Sequence, residues 1–596
     1  MAISPKIEGS GIVSLSISCN GNEMDGTRKI ISLTVDKRVN QVPKARIVLA
    51  DGDIANGDFP VSNSDEFKPG SEIVIDAGYE QETETIFKGI VIKHGIRIGN
   101  NNQAQLIIEC RDKSVKMTIG RKNANYTEKK DSDIIANLIQ GYEGLSQEIE
   151  NTETTYKELV QYYCTDWDFM LSRAEANGLI VIVDDGKISV TSPKTDAEAQ
   201  LKISYGTDII SFDAQMDART QVSQVTGTTW DPSSQKAVEQ EGSQPELNTQ
   251  GDLSSSDLAG VIGLDTLNIQ AAAPLDQTGL KTWADAHMLR AGLARIRGRI
   301  QFQGSAKAKP GGILTLDKLG NRFNGDVFIS SATHSFPTGN WITEVEFGLD
   351  PDLFTRKPDI IYPLASGLLP GVEGLQIGIV KQLSDDPEKE HKVQVSVPVM
   401  KNETQGVWAR IAKFYGSNGI GSFFMPEIGD EVVLGYFNND PCHPVILGSL
   451  YSSKNPPPYT IDDDNFFKAV VTRSELKLEF NDDKKIITIE TPSGNKIILS
   501  DEDKSISILD QNSNKIVLNS SGIKMESPKD IEVSAKGKIK MAGAMGVEIG
   551  SDMDIKLEGL NINSTAKVSL AAKANASAEL SASGNTTIKG AMVMIN

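Results

Sequence analysis

The chain has 596 residues, 39% of them hydrophobic and 23% charged, and its 80 acidic side chains outnumber the 60 basic ones to give a net charge of -20. This length predicts several domains of about 150 residues each, and the acidic balance argues against nucleic acid as a partner because it repels phosphate. The first residues lack a charged segment followed by an apolar one, and no stretch approaches the ~20 apolar residues of a membrane span. Synthesis in the cytoplasm is therefore expected.

Cysteines and histidines are few and scattered along the chain. Cys19, Cys110, Cys164 and Cys442 show no CxxC spacing, which favours reduced thiols. No HExxH motif, P-loop or nucleophile elbow occurs. We therefore expect no catalytic residue, no metal site and no cofactor, and we predict that His334 is a hydrogen-bonded structural histidine at the end of a strand.

The first third of the chain is predicted to pass from strands to helices. Residues 72–110 alternate apolar and polar side chains between Gly and Asn turns, which predicts β-strands. Residues 132–142 then show helical spacing. A second helix is predicted at 165–178, where Thr165 and Asp168 form a candidate capping box.

Further along, the Asp-Asp-Gly sequence at 184–186 predicts a hairpin. Residues 231–256 are polar, and we expect an exposed insertion because they have almost nothing to bury. A helix around 283–295 and a strand-rich stretch at about 300–349 follow. The proline-containing segment 353–374 is a predicted connector.

Residues 377–451 read as a run of short strands that fits a small closed barrel, with Trp408 as a core aromatic residue. The three prolines at 456–458 mark the next boundary because proline cannot donate to a sheet.

The last part of the chain carries alternating apolar residues in pairs that recur every eight positions. Such alternation predicts one buried and one wet face. Beyond Phe480 the chain has no aromatic residue, so one copy offers little to fill a core. We predict that three copies turn these stripes to a common axis, with a monomeric meander or sandwich as the alternative. The predicted axis residues are Ile531, Val533, Ile539, Met541, Val547, Ile549, Ile555 and Leu557.

A long motif resembles a known family. Residues 419–451 read GIGSFFMPEIGDEVVLGYFNNDPCHPVILGSLY and resemble the oligonucleotide/oligosaccharide-binding (OB) barrel of VgrG proteins, the trimeric spikes of type VI secretion and related contractile injection systems. Residues 162–181 and 294–336 are similar to the hub part of the same family.

The resemblance implies a mainly β fold with some α: a phage-tail-hub-like double barrel, an OB-fold barrel and a C-terminal intertwined triple-stranded β-helix in a homotrimer. The implied domains are a first hub barrel at 1–125, a hub α/β segment at 126–204, a second hub barrel at 205–352 with the polar insertion at about 231–256, a connector at 353–374, the OB barrel at 375–452 and the needle at 462–596.

The function implied by the resemblance is that of a trimeric central spike and hub, not an enzyme. It would join the tail tube to the baseplate and puncture the target envelope while carrying a PAAR-like tip protein and effector cargo. It would meet the target membrane only during puncture and be expelled into the extracellular space or the target cell. An enzymatic effector and a sugar-binding, phage-like tail fibre remain alternatives, and the type of injection system stays open.

The extreme C-terminus is the candidate docking platform for the tip protein. Three copies would bring a dozen apolar side chains to one blunt end, where leaving them wet is costly. Alternatively, all of them point inward to the axis. The residues concerned are Met592, Val593, Met594 and Ile595.

Overall fold

The structure is a computed structural model. Its described residues are 2–6, 11–100, 103–231, 236–271, 275–337, 339–357, 360, 364–367, 371–400 and 406–595. They divide into two compact units, Met1–Leu450 and Tyr451–Asn596. Within the described part of the chain, no helix is both long and apolar enough to cross a bilayer.

Among its described residues, the first unit contains four α-helices and most of the strands. The helices are α1 (Asp131–Gln140), α2 (Asp166–Ala176), α3 (Ser255–Ile262) and α4 (Gln277–Leu293). The first strands are β1 (Val13–Cys19), β2 (Asn22–Glu23), β3 (Ile30–Arg38), β4 (Lys44–Asp51), β5 (Glu72–Tyr79), β6 (Glu82–Ile98), β7 (Ala104–Arg111), β8 (Lys122–Lys130), β9 (Ser146–Ile149), β10 (Thr155–Cys164), β11 (Ile180–Asp184), β12 (Lys187–Thr191), β13 (Leu201–Ser204) and β14 (Ile209–Met216). The others are β15 (Gln224–Asp231), β16 (Lys236–Glu241), β17 (Thr266–Ala271), β18 (Ile296–Gln303), β19 (Ile313–Asp317), β20 (Gly325–Ser335), β21 (Ile342–Phe347), β22 (Gln376–Gln382), β23 (Val393–Ser396), β24 (Val407–Ile411), β25 (Gly416–Ser417), β26 (Ile420–Gly421), β27 (Glu431–Tyr436) and β28 (Pro444–Ser449).

One thirteen-stranded sheet carries both halves of the predicted hub. Eleven strands follow the order β14-β18-β21-β20-β3-β4-β7-β6-β5-β1-β2. The other two strands branch from β20: β19 pairs with β20, and β13 pairs with β19. Two separate cores pack against it, one containing Ile47 and Phe87 and the other Phe302 and Phe347. The antiparallel pairing of β3 with β20 joins the halves, so the two predicted hub barrels share a continuous sheet.

The local signals between the two halves are confirmed. The Thr165 hydroxyl accepts a hydrogen bond from the Asp168 N–H at 3.0 Å and caps α2, while Gly178 follows the helix with a φ of +70°. Asp185 and Gly186 both have positive φ, which forms the predicted turn between β11 and β12.

Most described residues of the polar stretch 231–256 are exposed or partly exposed, and the stretch also contains regular structure. It contains β16, which pairs with β15, and both strands contact α4. Gly242 lies so close to this helix that an added Cβ would be 2.9 Å from the carbonyl oxygen of Ala284. Backbone pairing therefore anchors a segment that has few apolar side chains to bury.

The OB strands close into a barrel in the order β22-β23-β24-β28-β27, as predicted. Val380, Val393 and Ala409 are completely buried in its core. The prediction for Trp408 is wrong, because this half-buried residue pairs with Gln394 on the outer face while its neighbour Ala409 points inward.

The second unit begins with a seven-stranded antiparallel meander in which each strand pairs with the next. From residue 527 onward, the described residues contain no helix or strand. A single chain thus forms a meander where the needle was predicted to begin, and intertwining between copies stays a prediction. The strands are β29 (Phe467–Val471), β30 (Lys477–Asn481), β31 (Ile486–Glu490), β32 (Lys496–Ser500), β33 (Ser505–Leu509), β34 (Lys515–Asn519) and β35 (Gly522–Glu526).

A buried ion pair locks α2 onto α1. The Arg173 guanidinium donates to both carboxylate oxygens of Asp131 at 2.7 and 2.9 Å and to the Tyr156 hydroxyl at 2.6 Å. The Asn177 amide donates to the same carboxylate at 2.8 Å, and the Asp131 side chain is fully buried. The carboxylate is therefore saturated with donors and depends on all of them.

Replacing Arg173 with Met should leave the Asp131 charge buried and unpaired. We expect the free energy of opening of α1 and α2 to fall by about 3–5 kcal/mol. Hydrogen exchange of peptides from the two helices measures this change. Arg219→Met is the matched control, because Arg219 pairs with Asp217 at an exposed site and its loss should leave exchange unchanged.

Candidate assembly surface

One face of the meander is almost entirely apolar. Cross-strand pairing places two residues of every strand on this face, which we term the apolar face, with Lys468 as the one charged exception. None of these apolar side chains is buried within the chain. They are Val470, Leu478, Phe480, Ile487, Ile489, Ile497, Leu499, Ile506, Ile508, Ile516, Leu518, Ile523 and Met525.

The opposite face of the meander carries ion pairs between neighbouring strands. The Glu490 carboxylate lies 2.6 Å from the Lys496 ammonium and 3.2 Å from that of Lys477, and Lys515 lies 2.5 Å from Glu526. The hydrogen bonds from Lys496 and Lys477 hold the pKa of Glu490 below its ordinary value. This face is more polar than the apolar face, although it also carries Phe467, Val471, Ile486, Ile498, Leu509 and Val517.

The exposed apolar face is costly for a single copy. Apolar surface contributes about 25 cal/mol per Å² when it leaves water, and central residues such as Ile489 (48% exposed) and Leu499 (40% exposed) remain accessible. A single-layer sheet has no second layer to cover this face. The cover must come from outside the meander.

The predicted axis residues of the octads are also exposed in a single chain. The first members of the pairs are 50–57% exposed and the second members 63–73%. Lys556 and Glu558, beside the last pair, form an exposed ion pair at 2.8 Å. One copy does not bring these side chains together, so the shared axis stays a prediction. The first members are Ile531, Ile539, Val547 and Ile555, and the second members are Val533, Met541, Ile549 and Leu557.

The predicted tip-docking residues are equally open. Met592 is 79% exposed, Met594 83% and Ile595 86%, and Val593 is the most covered at 49%. Their surroundings within one chain neither support nor oppose a platform, which stays a prediction.

Sequence reasoning missed the apolar face although its signal was present. The pairs Leu478/Phe480, Ile487/Ile489 and Ile497/Leu499 show the same two-residue alternation as the octads, at a spacing of nine or ten rather than eight. Turns such as 491–495 lengthen the repeat and hide the period.

His334 and Glu175 are buried titratable groups of the first unit that take part in structural contacts. His334 is 3% exposed, its Nδ1 lies 3.0 Å from the Thr343 hydroxyl, and burial lowers its pKa to about 3. This confirms its predicted structural role. The buried Glu175 accepts from the Arg290 guanidinium at 2.8 Å and from the Asn40 amide at 3.0 Å. Throughout the described part of the chain, no group of His, Cys, Asp and Glu is arranged to hold a metal ion.

Two family models match the chain. The Alg8 N-terminal domain matches residues 9–337, and the type VI secretion system/phage-baseplate injector OB domain matches residues 376–451.

Curated relatives match over short stretches. The type VI secretion system spike protein VgrG3 of Vibrio cholerae is 36% identical over 62 residues, and the actin cross-linking toxin VgrG1 of Vibrio cholerae is 37% identical over 60 residues. Each match covers 10% of this chain and only 6% of the relative. Among solved structures, a 43 kDa tail protein of prophage MuSo2 from Shewanella oneidensis matches with a TM-score of 0.43 and 10% identity, over 57% of this chain and 99% of that protein.

The OB-domain model and the VgrG relatives confirm the resemblance to VgrG spike proteins that the OB motif predicted. The match at 9–337 spans more than half of the chain. The protein therefore belongs to the family of the Alg8 N-terminal domain and carries, next to that domain, an injector OB domain of the type VI secretion system and phage-baseplate kind.

Proposed function

We propose that this protein is the trimeric central spike and hub of a contractile injection apparatus. The observation that carries the proposal is the apolar face of the meander, which continues into the alternating octads. Both features need a cover that one chain lacks, and identical copies supply one with the same pattern. Spike proteins are among the relatives of the chain, which agrees with this role.

Three copies cover the apolar surface as a prism. Each meander turns its apolar face to the axis and its ion-paired face to water. The octads extend the same arrangement, with Lys540, Glu548 and Lys556 on the wet side. Folding of the needle and trimerisation are then one event.

The hub of the proposed trimer connects the spike to the tail tube and baseplate. Each chain supplies two cores on one continuous sheet, so three chains present six similar units. Such an arrangement converts threefold spike symmetry into the sixfold symmetry of a tube. The protein is made in the cytoplasm, assembled into the apparatus and expelled through it, and it meets the target membrane only during puncture.

The tip of the proposed spike carries a separate PAAR-like protein and, with it, effector cargo. Three open strand ends leave backbone groups without partners beside an apolar patch. A cap that supplies apolar cover and edge hydrogen bonds satisfies both requirements.

We further propose that the protein acts mechanically and is not an enzyme. The buried carboxylates of Asp131 and Glu175 are engaged by structural partners. Purified protein should release no dye from labelled peptidoglycan at concentrations where it is trimeric by light scattering. Dye release that follows the trimer peak would contradict this proposal.

The proposed axis of the needle predicts that a charge placed on it prevents trimer formation. Ile539→Asp or Val547→Asp places three carboxylates around a dry axis, and the mass by light scattering should fall from that of three chains to that of one. Lys540→Ser, on the wet side, should remain trimeric. If either aspartate variant remains trimeric, the axial arrangement is wrong.

The meander offers a second matched pair. Leu499 lies on the apolar face and Ser507 on the opposite face of the neighbouring strand. We expect Leu499→Asp to abolish the trimer and Ser507→Asp to leave it intact, as measured by size-exclusion chromatography with light scattering. Equal behaviour of the two variants would show that the apolar face is not the contact.

The tip platform predicts the result of a truncation. Removing residues 591–596 should leave a trimer that no longer co-purifies with a PAAR-like tip protein, because its apolar platform is lost. Full retention of the tip protein would place the platform elsewhere.

A further inference from the structure

A cleft of the first unit lies beside one end of the thirteen-stranded sheet. Its volume is about 480 Å³, which is within the range of sites for small molecules. Strands β14, β18, β20 and β21 supply one wall, and residues between 349 and 357 supply another. Five basic and four acidic side chains line it, although the whole chain has a net charge of -20. We term it the arginine cleft, because four of the five basic residues are arginines.

The acidic side chains of the arginine cleft already have donors within the chain. Asp350 accepts from the N–H of Asp352 at 3.1 Å. The other three carboxylates each pair with an arginine of the cleft. These pairs are Arg38 with Glu346 at 2.7 Å, Arg290 with Glu175 at 2.8 Å and Arg299 with Asp213 at 3.5 Å.

Two basic side chains of the cleft are left over. In the described part of the chain, no carboxylate lies within ion-pair distance of Arg297 or Lys357, and Arg297 makes no hydrogen bond. Hydrogen bonds from Arg219 lower the pKa of Asp217 to about 2, and Arg297 adds only a smaller effect of its charge. Lys357 lies 5.9 Å from the centre of the Phe354 ring. Both cations are therefore available to a ligand.

A buried hydroxyl lies in the wall of the same cleft. Ser331 pairs with Arg38 on β3 and with Glu346 on β21, so the three side chains share one face of the sheet. Ser331 is 2% exposed, and its Oγ has no hydrogen-bond partner among the described residues. Buried polar atoms without a partner are rare in native proteins. This wall is thus polar and incompletely satisfied by the chain itself.

We propose that the arginine cleft binds a small multivalent oxyanion, of the carboxylate or phosphate kind, through Arg297 and Lys357. A guanidinium presents parallel N–H donors that match two oxygens of such a group, and an ammonium adds a second charge. Arg297 belongs to β18 and Lys357 to the segment that follows β21, so a ligand held by both ties this segment to the sheet. The site lies wholly in the first unit, and the inference does not depend on the proposed trimer.

The size of the cleft favours a small ligand over an acidic segment of another protein. A stable protein contact buries about 800 Å² on each partner and uses many side chains. Here two unpaired cations and one buried hydroxyl line a single recess. Such a set suits one molecule that carries two or three anionic groups.

The test titrates the full chain with pyrophosphate and, separately, with citrate, at an ionic strength held constant with sodium chloride. Calorimetry should show saturable binding of at least one probe, and the bound probe should slow hydrogen exchange of peptides 296–303 and 349–357. Pyrophosphate alone would identify a phosphate ligand, and citrate alone a carboxylate ligand. Saturable binding of neither probe would overturn the inference.

Two variants locate the binding site. Arg297→Gln should weaken the affinity about tenfold or more, because it removes charge-assisted hydrogen bonds. Lys357→Gln, at an exposed position outside the sheet, should also weaken it without disturbing a strand. Arg473→Gln is the matched control, because it removes the same charge from an exposed position of the second unit and should bind like the unchanged protein.

The remaining outcomes also decide the matter. If both cleft variants bind the probes as tightly as the Arg473→Gln control, the arginine cleft is not the site and the inference is wrong. If a hexaglutamate peptide binds, both variants abolish its binding and neither small probe binds, the cleft is a docking site for an acidic protein and not for a small oxyanion.

Discussion

An amphipathic sheet with one uncovered face governs the second unit of this protein. The backbone hydrogen bonds of the meander are made by pairing each strand with the next. Charged side chains on its polar face form ion pairs such as that of Lys496 with Glu490. Its apolar side remains wet in a single chain. The proposed trimer, its symmetry and the rigidity of the spike all depend on removing this surface from water.

The first unit meets the same requirement in a different way. Its large sheet covers its apolar side within the chain, because one sheet supports two cores and the OB strands close on a third. Its exposed large apolar side chains are spread over the surface and include Ile54, Tyr162 and Phe414. The first unit thus closes its cores within one chain, whereas the proposed trimer would complete the second unit with partner copies.

Much of the fold was predictable because its signals are local. The Thr165 cap, the turn at Asp185 and the closed OB barrel follow from short motifs or from a family resemblance. Trp408 was misplaced because size alone suggested a core position, whereas the two-residue period of the strand assigned that position to Ala409. Composition alone could not predict strand β16 within the stretch 231–256, because composition reports on side chains and backbone pairing holds this segment.

The junction of β3 and β20 has a consequence for how the protein is made on the ribosome. Asp36 and Thr333 are paired across it but are 297 positions apart in the chain. The edge of β3 therefore stays open while nearly three hundred further residues are translated, and nascent chains with open edges pair with one another. The time between the synthesis of these two strands is the period in which the edge of β3 is open to incorrect pairing.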